Sequence, residues 1–207
     1  MTVVADARRK QILAAAQACF ARAGFHQASM ADICGEAGMS PGSVYRYFRS
    51  KADIIAAMVD DCQEESRGWF AELAAADDVV DGLGVIADRI PAELNDPGRQ
   101  VLYFESMAEA MRNPKVATAV RTQDAEAIVL LAAALRRGQA AGQVDASLDP
   151  TLTAHTLSAL VDGLTWRKFL DPAAHAPAYA ATLRTLLDRF LRPSVPVKSR
   201  RPKGDRR

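Results

Sequence analysis

The 207-residue chain, 49% hydrophobic and 25% charged, has the balance of a globular protein that can bury a sizeable core as one large or two small domains, which excludes intrinsic disorder. Its apolar runs stay short of the ~18 residues a membrane span needs, and the opening MTVVADARRK has no apolar core for a signal peptide, so a soluble cytoplasmic protein with no membrane partner is expected. A net charge of +1 conceals a strong polarity, +3 over residues 1–58, −7 over 59–193 and +5 over 194–207, which turns a basic head toward a polyanion and keeps an acidic body off it.

In chain order, Ile12, Ala16, Cys19, Phe20 and Ala23 fall on one stripe and Gly24 closes it, so the spacing predicts a first helix from about Ala7 to Ala23. Arg8, Arg9 and Lys10 at its start are placed either to touch phosphates or simply to be solvated. Phe25 is expected to fold back on the core, with His26 in a loop.

The stretch SMADICGEAGMSPGSVYRYFRSKAD, Ser29 to Asp53, then compresses three helix starts into one segment. Ser29 with Asp32, and Ser50 with Asp53, fit the capping pattern in which a serine oxygen accepts from an orphan N–H and the acid three residues on answers it. Ser40 precedes Pro41, and proline suits a first helical position because its missing N–H had no partner there. Gly38 is the natural stop between, giving helix, tight turn, helix. Ile33 and Ala37 share the buried side of the first of these helices, Val44 and Phe48 that of the second. Gly42, Ser43 and Arg46, flanked by Tyr45 and Tyr47, are thereby turned outward. Arginine forks two donors onto a guanine edge, Ser and Tyr hydroxyls reach phosphates or bases, and glycine lets the backbone approach a groove wall. The helix starts at Ser29, Ser40 and Ser50 favour phosphate oxygens, and Lys51 adds a full charge.

Together these residues resemble the signature of the TetR family of transcriptional repressors: Ser29, Ile33, Ala37, Gly38, Met39, Ser40, Gly42, Tyr45, Tyr47, Phe48 and Lys51 stand at matching places. Cys34 replaces the usual Ala and Met39 the usual Val, changes of volume that a small core tolerates. The motif resemblance covers about residues 8 to 58. It implies an all-α protein: an N-terminal three-helix helix-turn-helix DNA-binding domain (1–50) joined by a connector helix (51–76) to a helical ligand-binding and dimerisation domain (51–192).

Beyond Lys51, Ile54, Ile55, Met58, Cys62, Trp69, Phe70 and Leu73 mark that long connector, with Asp60, Asp61, Glu64 and Glu65 expected in solvent. Further helices are expected at about Val79–Leu94, Arg99–Arg112, Lys115–Ala141 with a break near Thr122, Pro150–Leu170 and Pro177–Leu191, without strands. Glu105 and Glu109 point away from the arc of Tyr103, Phe104, Met107 and Met111, so they make a poor catalytic pair. The Pro150–Leu170 helix is apolar on two faces, Leu157, Leu160, Val161 and Leu164 against Leu152, Ala159, Gly163 and Trp166; the second face implies a partner. With Leu183, Leu186 and Phe190 of the last helix it would build a four-helix homodimer interface.

Large or polar candidates for a ligand pocket are Trp69, Tyr103, Phe104, Met107, Met111, His155, Trp166 and Phe169, with His155 or Asp162 for the polar contact, and they favour an apolar or aromatic ligand. Cys19, Cys34 and Cys62 show neither disulfide nor zinc spacing and read as small hydrophobes. No nucleophile-base pair, phosphate loop or metal cluster is visible, so neither an enzyme nor a bound cofactor is expected. Residues 193–207 are proline-broken and basic and read as a disordered tail. The resulting expectation is a sequence-specific regulator of a pseudo-palindromic double-stranded DNA operator, a repressor released by a small-molecule effector. The competing reading is a ligand-independent helical architectural or adaptor protein that binds DNA.

Overall fold

A computed structural model describes residues 3–173 and 176–193, and those residues form ten helices and no strand. The head holds α1 (Val3–Gln27), α2 (Met30–Glu36) and α3 (Pro41–Tyr45). α4 (Lys51–Ala75) leads out of it into a body of α5 (Val79–Ala87), α6 (Ile90–Asn95), α7 (Pro97–Ala110), α8 (Pro114–Ala140), α9 (Pro150–Leu170) and α10 (Ala176–Leu191). α4 lies along α8, α8 against α9, and α10 against α5 and α6.

Local chemistry explains most of these boundaries. Ser29 and Asp32 make a reciprocal capping box at the start of α2, the Ser29 oxygen accepting from Asp32 N at 3.1 Å and Asp32 from Ser29 N at 2.8 Å. Gly38 takes φ 61, a left-handed conformation that lets Met39 N reach back to Cys34 O at 3.0 Å and end α2 before Pro41 opens α3. Ser50 accepts from Asp53 N at 3.2 Å at the start of α4.

Three expected boundaries are corrected. α1 begins at Val3 and passes Gly24, whose φ of 75 kinks the chain before a last turn to Gln27. Val79–Leu94 is two helices, because the chain turns at Asp88-Arg89 and restarts with Pro91 in the first turn of α6. α8 runs unbroken through Thr122, which carries no backbone device to interrupt it. Asp60, Glu64 and Glu65 are exposed as expected, and Asp61, Glu64 and Glu65 also pair with Arg9 at 2.7 Å, Arg67 at 2.9 Å and Arg99 at 2.5 Å. The basic segment from residue 194 on lies outside the described residues.

There are two apolar cores. The body core gathers Leu73, Val79, Leu83, Ile128, Leu131, Leu135, Ala154, Leu157, Leu183, Leu187 and Leu191. The head core is built on Ile12, Phe20, Phe25, Ile33, Val44, Phe48, Ile54 and Ile55, but it also contains the fully buried Val116 of α8, with Val101, Leu102, Ala119 and Val120 packed against it. The head is therefore closed by the α7–α8 hairpin of the body. Truncating Val116 to Ala should cost about 2 kcal/mol by lost burial and the cavity left behind. Because the side chain spans both units, urea denaturation should show head and body losing structure in one shifted transition.

Candidate nucleic-acid interface and aromatic cluster

On the outer side of α3, Gly42, Tyr45 and Arg46 are exposed, Tyr45 by 49%, while Val44 is fully buried and holds the helix down. A Cβ built at Gly42 would meet nothing within 4 Å, so nothing inside the chain demands glycine there. Ser40 makes no cap of its own; its hydroxyl lies 2.9 Å from that of Ser43, leaving a coupled hydroxyl pair at the start of α3. Tyr47 is half-buried against the head core, and Ser29 is committed to its capping box. Arg49, which the sequence reading passed over, is exposed beyond Arg46, and its spacing three residues on from that arginine was the available signal.

Lys51 occupies a different place from the phosphate contact expected of it. Its ammonium donates to the carbonyls of Phe25, His26 (3.2 Å) and Ala28 (2.7 Å) and sits 4.5 Å from the centre of the Phe25 ring. The cation caps the end of α1. Arg9 is likewise held internally, by Asp61 and the carbonyl of Ala57 at 3.3 Å, whereas Arg8 bonds Gln11 at 3.0 Å and stays exposed.

The head meets the body through polar contacts as well as Val116. Glu105 of α7 accepts from Phe25 N at 3.0 Å, Arg112 lies 2.8 Å from His26 Nε2, and Lys115 of α8 pairs with Asp53 at 2.5 Å. Glu105, expected to turn from the aromatic arc of α7, does so and reaches the head.

Of the pocket candidates, Tyr103 and Phe104 of α7 and Trp166 and Phe169 of α9 come together. Phe104 is 5.8 Å from Trp166 and 4.9 Å from Phe169, these two are 5.6 Å apart, and Tyr103 is 5.2 Å from Phe104. The Tyr103 hydroxyl bonds the Asp162 carboxylate; burial and that neighbouring charge push the phenol up to about 12, so it stays a donor. Trp69 lies elsewhere, 5.7 Å from the Arg89 guanidinium. Met107, Met111 and His155 are exposed, Met111 by 88% at the very end of α7.

Leu152, Ala159, Gly163 and Trp166 lie exposed along α9, and Leu186 and Phe190 along α10. Leu183 does not share that face. It is buried with Ala180, Leu187 and Leu191 on the inward stripe of α10, as their three- and four-residue spacing dictates. The cysteines are free; burial raises the thiols of Cys19 and Cys62, which disfavours the reactive thiolate. No helix of the described residues is long and apolar enough to cross a membrane.

A capped two-helix reading unit with an outward Gly-Ser-Tyr-Arg face, set on a wholly helical body, defines a helix-turn-helix transcriptional regulator. Residues 12–58 match the family of bacterial regulatory proteins of the tetR type, and residues 82–192 match the C-terminal region of BetI-type transcriptional repressors. The chain belongs to the TetR family. It is 30% identical over 192 residues to the transcriptional regulator UidR of Escherichia coli strain K12, covering 92% of this chain and 96% of UidR. Among solved structures it is similar to Salmonella enterica GusR, with 36% identity, a TM-score of 0.76 and 89% and 95% of the two chains covered. The regulator FadR of Bacillus subtilis, solved with stearoyl-CoA, shares the fold at 18% identity and a TM-score of 0.77, covering 86% of this chain and 96% of FadR.

The contact between Asp53 and Lys115 makes the head's seating on the body sensitive to acid. Hydrogen bonding from Lys115, and from Arg49 N, holds the Asp53 carboxyl below the usual aspartate range despite its burial. Its pKa is thus lower folded than unfolded, so its stabilisation is complete above about pH 4 and is lost as pH falls through the folded value. Thermal midpoints followed by circular dichroism from about pH 6 to about pH 3 should fall less steeply in Asp53→Asn than in the parent.

Proposed function

We propose that the chain acts in the cytoplasm as a homodimeric repressor, with α3 of each protomer entering successive major grooves of a pseudo-palindromic operator about 34 to 36 Å apart. A small apolar or aromatic effector in the body releases it. The observation that carries the reading is the closure of the head core by Val116 and its neighbours on α7 and α8. The reading helix cannot be repositioned without disturbing body helices, so a ligand that prefers one arrangement of the body shifts the population of DNA-competent heads.

Within the head, Arg46 and Tyr45 are the base-reading candidates. Ser40, Ser43, Tyr47 and the exposed Arg49 brace the phosphates, Ser29 serves by capping the start of α2, Gly42 admits the backbone, and Lys51 acts one step back by fixing the end of α1. The exposed faces of α9 and α10, from Leu152 through Trp166 and from Leu186 to Phe190, meet their two-fold mates.

Arg46→Ala should cost about 1 to 3 kcal/mol of operator affinity and relax base preference at one position. Arg49→Ala should instead weaken all sequences alike and reduce the slope of log affinity against log salt by about one. Quantitative mobility shifts on operator and scrambled DNA separate the two, and equal loss on every sequence for Arg46→Ala would reassign it to phosphate. Phe190→Glu should convert the dimer to a folded monomer in sedimentation velocity; an unchanged dimer would place the interface on another face.

A further inference from the structure

We propose that Arg8 clamps a phosphate of the operator at the edge of the groove that α3 enters, and that Gln11 is the residue that positions it. This rests on the reading above that α3 enters a major groove; it adds a backbone contact made from α1 and names the side chain that aims it.

Two hydrogen bonds form a relay from α1 to the turn of the helix-turn-helix. The Gln11 amide nitrogen donates to the carbonyl of Ala37 at 2.7 Å, and the Gln11 amide oxygen accepts from Arg8 Nη1 at 3.0 Å. Ala37 is the C-cap of α2, so its carbonyl is one of those a helix end leaves without an intrahelical partner. A carbonyl calls for a donor and a guanidinium for an acceptor, so both halves of the amide are engaged and only one orientation of it serves. Arg8 is thereby tied to the turn.

That turn lies at the end of the unit from which α3 starts. Ser40 and Pro41 follow it at once, and a recognition helix presents its N-terminal residues to base edges, between two walls of phosphate. The Ser40 and Ser43 hydroxyls, 2.9 Å apart, stand at the same end. A guanidinium fixed to residue 37 is therefore fixed relative to α3, beside the wall that α3 passes on entry. Two oxygens of one phosphate match its fork.

The other arginines of α1 are already answered by carboxylates. Arg9 pairs with Asp61 at 2.7 Å and Arg22 with Glu36 at 3.2 Å. Arg8 is exposed and forms no ion pair with a described residue. An amide oxygen holds it in place without neutralising it and takes one of its several N–H donors. Ordering this long side chain before DNA arrives reduces the rotamer entropy it loses on binding.

The test lets the protein select a duplex from a random-sequence library, then reads affinity for that duplex and for a scrambled one by fluorescence anisotropy over a range of salt. Arg8→Ala should weaken both about tenfold near physiological salt and lower the slope of log affinity against log salt by about one per protomer, while Arg8→Lys keeps the slope. Replacing single phosphates of the selected duplex by neutral methylphosphonates should reveal a position whose neutralisation weakens the parent but not Arg8→Ala. Gln11→Met should weaken binding several-fold in the parent and have no effect in an Arg8→Ala background, because it acts through Arg8. All variants are compared at matched helical circular dichroism. An unchanged slope in Arg8→Ala, or no methylphosphonate that tells it from the parent, overturns the contact. A Gln11→Met loss that persists without Arg8 overturns the positioning role and leaves Gln11 as a cap for α2. A parent that selects no duplex overturns the operator reading itself, and this contact with it.

Discussion

Lys51, at the first position of α4, delivers its ammonium to the carbonyls of Phe25, His26 and Ala28 at the end of α1. The same short turn gives its Phe25 N–H to Glu105 of α7, packs the Phe25 ring into the head core, and brings His26 to Arg112 beyond α7. Gly24, with φ 75 and ψ 162, makes the kink that turns these backbone groups away from their own helix and toward three other elements. Helix ends must find partners for their orphan carbonyls. Here the partner is the cation that opens the connector, so satisfying a helix end also fixes the angle at which the head leaves the body. Loss of that tie would free the reading helix from the one element leading directly to the rest of the molecule.

What was legible in the sequence follows the range of the signal. Gly38, Ser40-Pro41, and Ser29 with Asp32 act within a few residues, so the helix-turn-helix is readable from a window of 25 residues. The aromatic group also came through in part, because Tyr103 and Phe104 on one helix and Trp166 and Phe169 on another announce themselves by size. Where they meet, and that Trp69 and Met111 do not join them, depends on how helices distant in sequence pack, which no local window encodes. The misread of Leu183 has the same origin: periodicity reveals that α10 has an apolar stripe, but both its faces carry leucines, and only α5 and α6 decide which one is inward. Lys51 was misplaced for a complementary reason. A lysine beside a DNA-reading motif is as apt for a carbonyl cluster as for a phosphate, and the carbonyls stand 23 to 26 positions away in the chain.

α9 divides its circumference among three tasks, which explains why its apolar residues look excessive for a single packed face. Ala154 and Leu157 enter the body core, with Leu160, Val161 and Leu164 at its margin. Asp162 and Phe169 face α7, while Leu152, Ala159 and Gly163 remain on the outer side. Trp166 stands at the edge between the α7-facing side and the outer face, touching Phe104 yet half-exposed. Small residues at 159 and 163 suit close approach of a second helix, and the large ring at 166 packs edge-on against Phe104 of α7. On the proposed reading, an effector in the body and the geometry of the dimer are both felt by this helix.

α7 then connects the two ends of the molecule with little lost between them. Tyr103 and Phe104 belong to the aromatic cluster shared with α9, and their immediate neighbours Leu102 and Glu105 pack against or bond the head. A helix is stiff over one turn, so four consecutive residues move as a body. A guest that parts Phe104 from Phe169 must shift α7, and the shift reaches Phe25 N through Glu105 and the head core through Leu102 at no greater distance than a single helical turn, about 5.4 Å. The connector need not carry the signal alone: α4 sets the head's angle through Lys51, and α7 sets it through Glu105, at the same turn of α1. Because close-packed elements have few alternative arrangements, two such fixings at one place make the head's position a property of the body as a whole, which is the condition for a ligand far from DNA to control it.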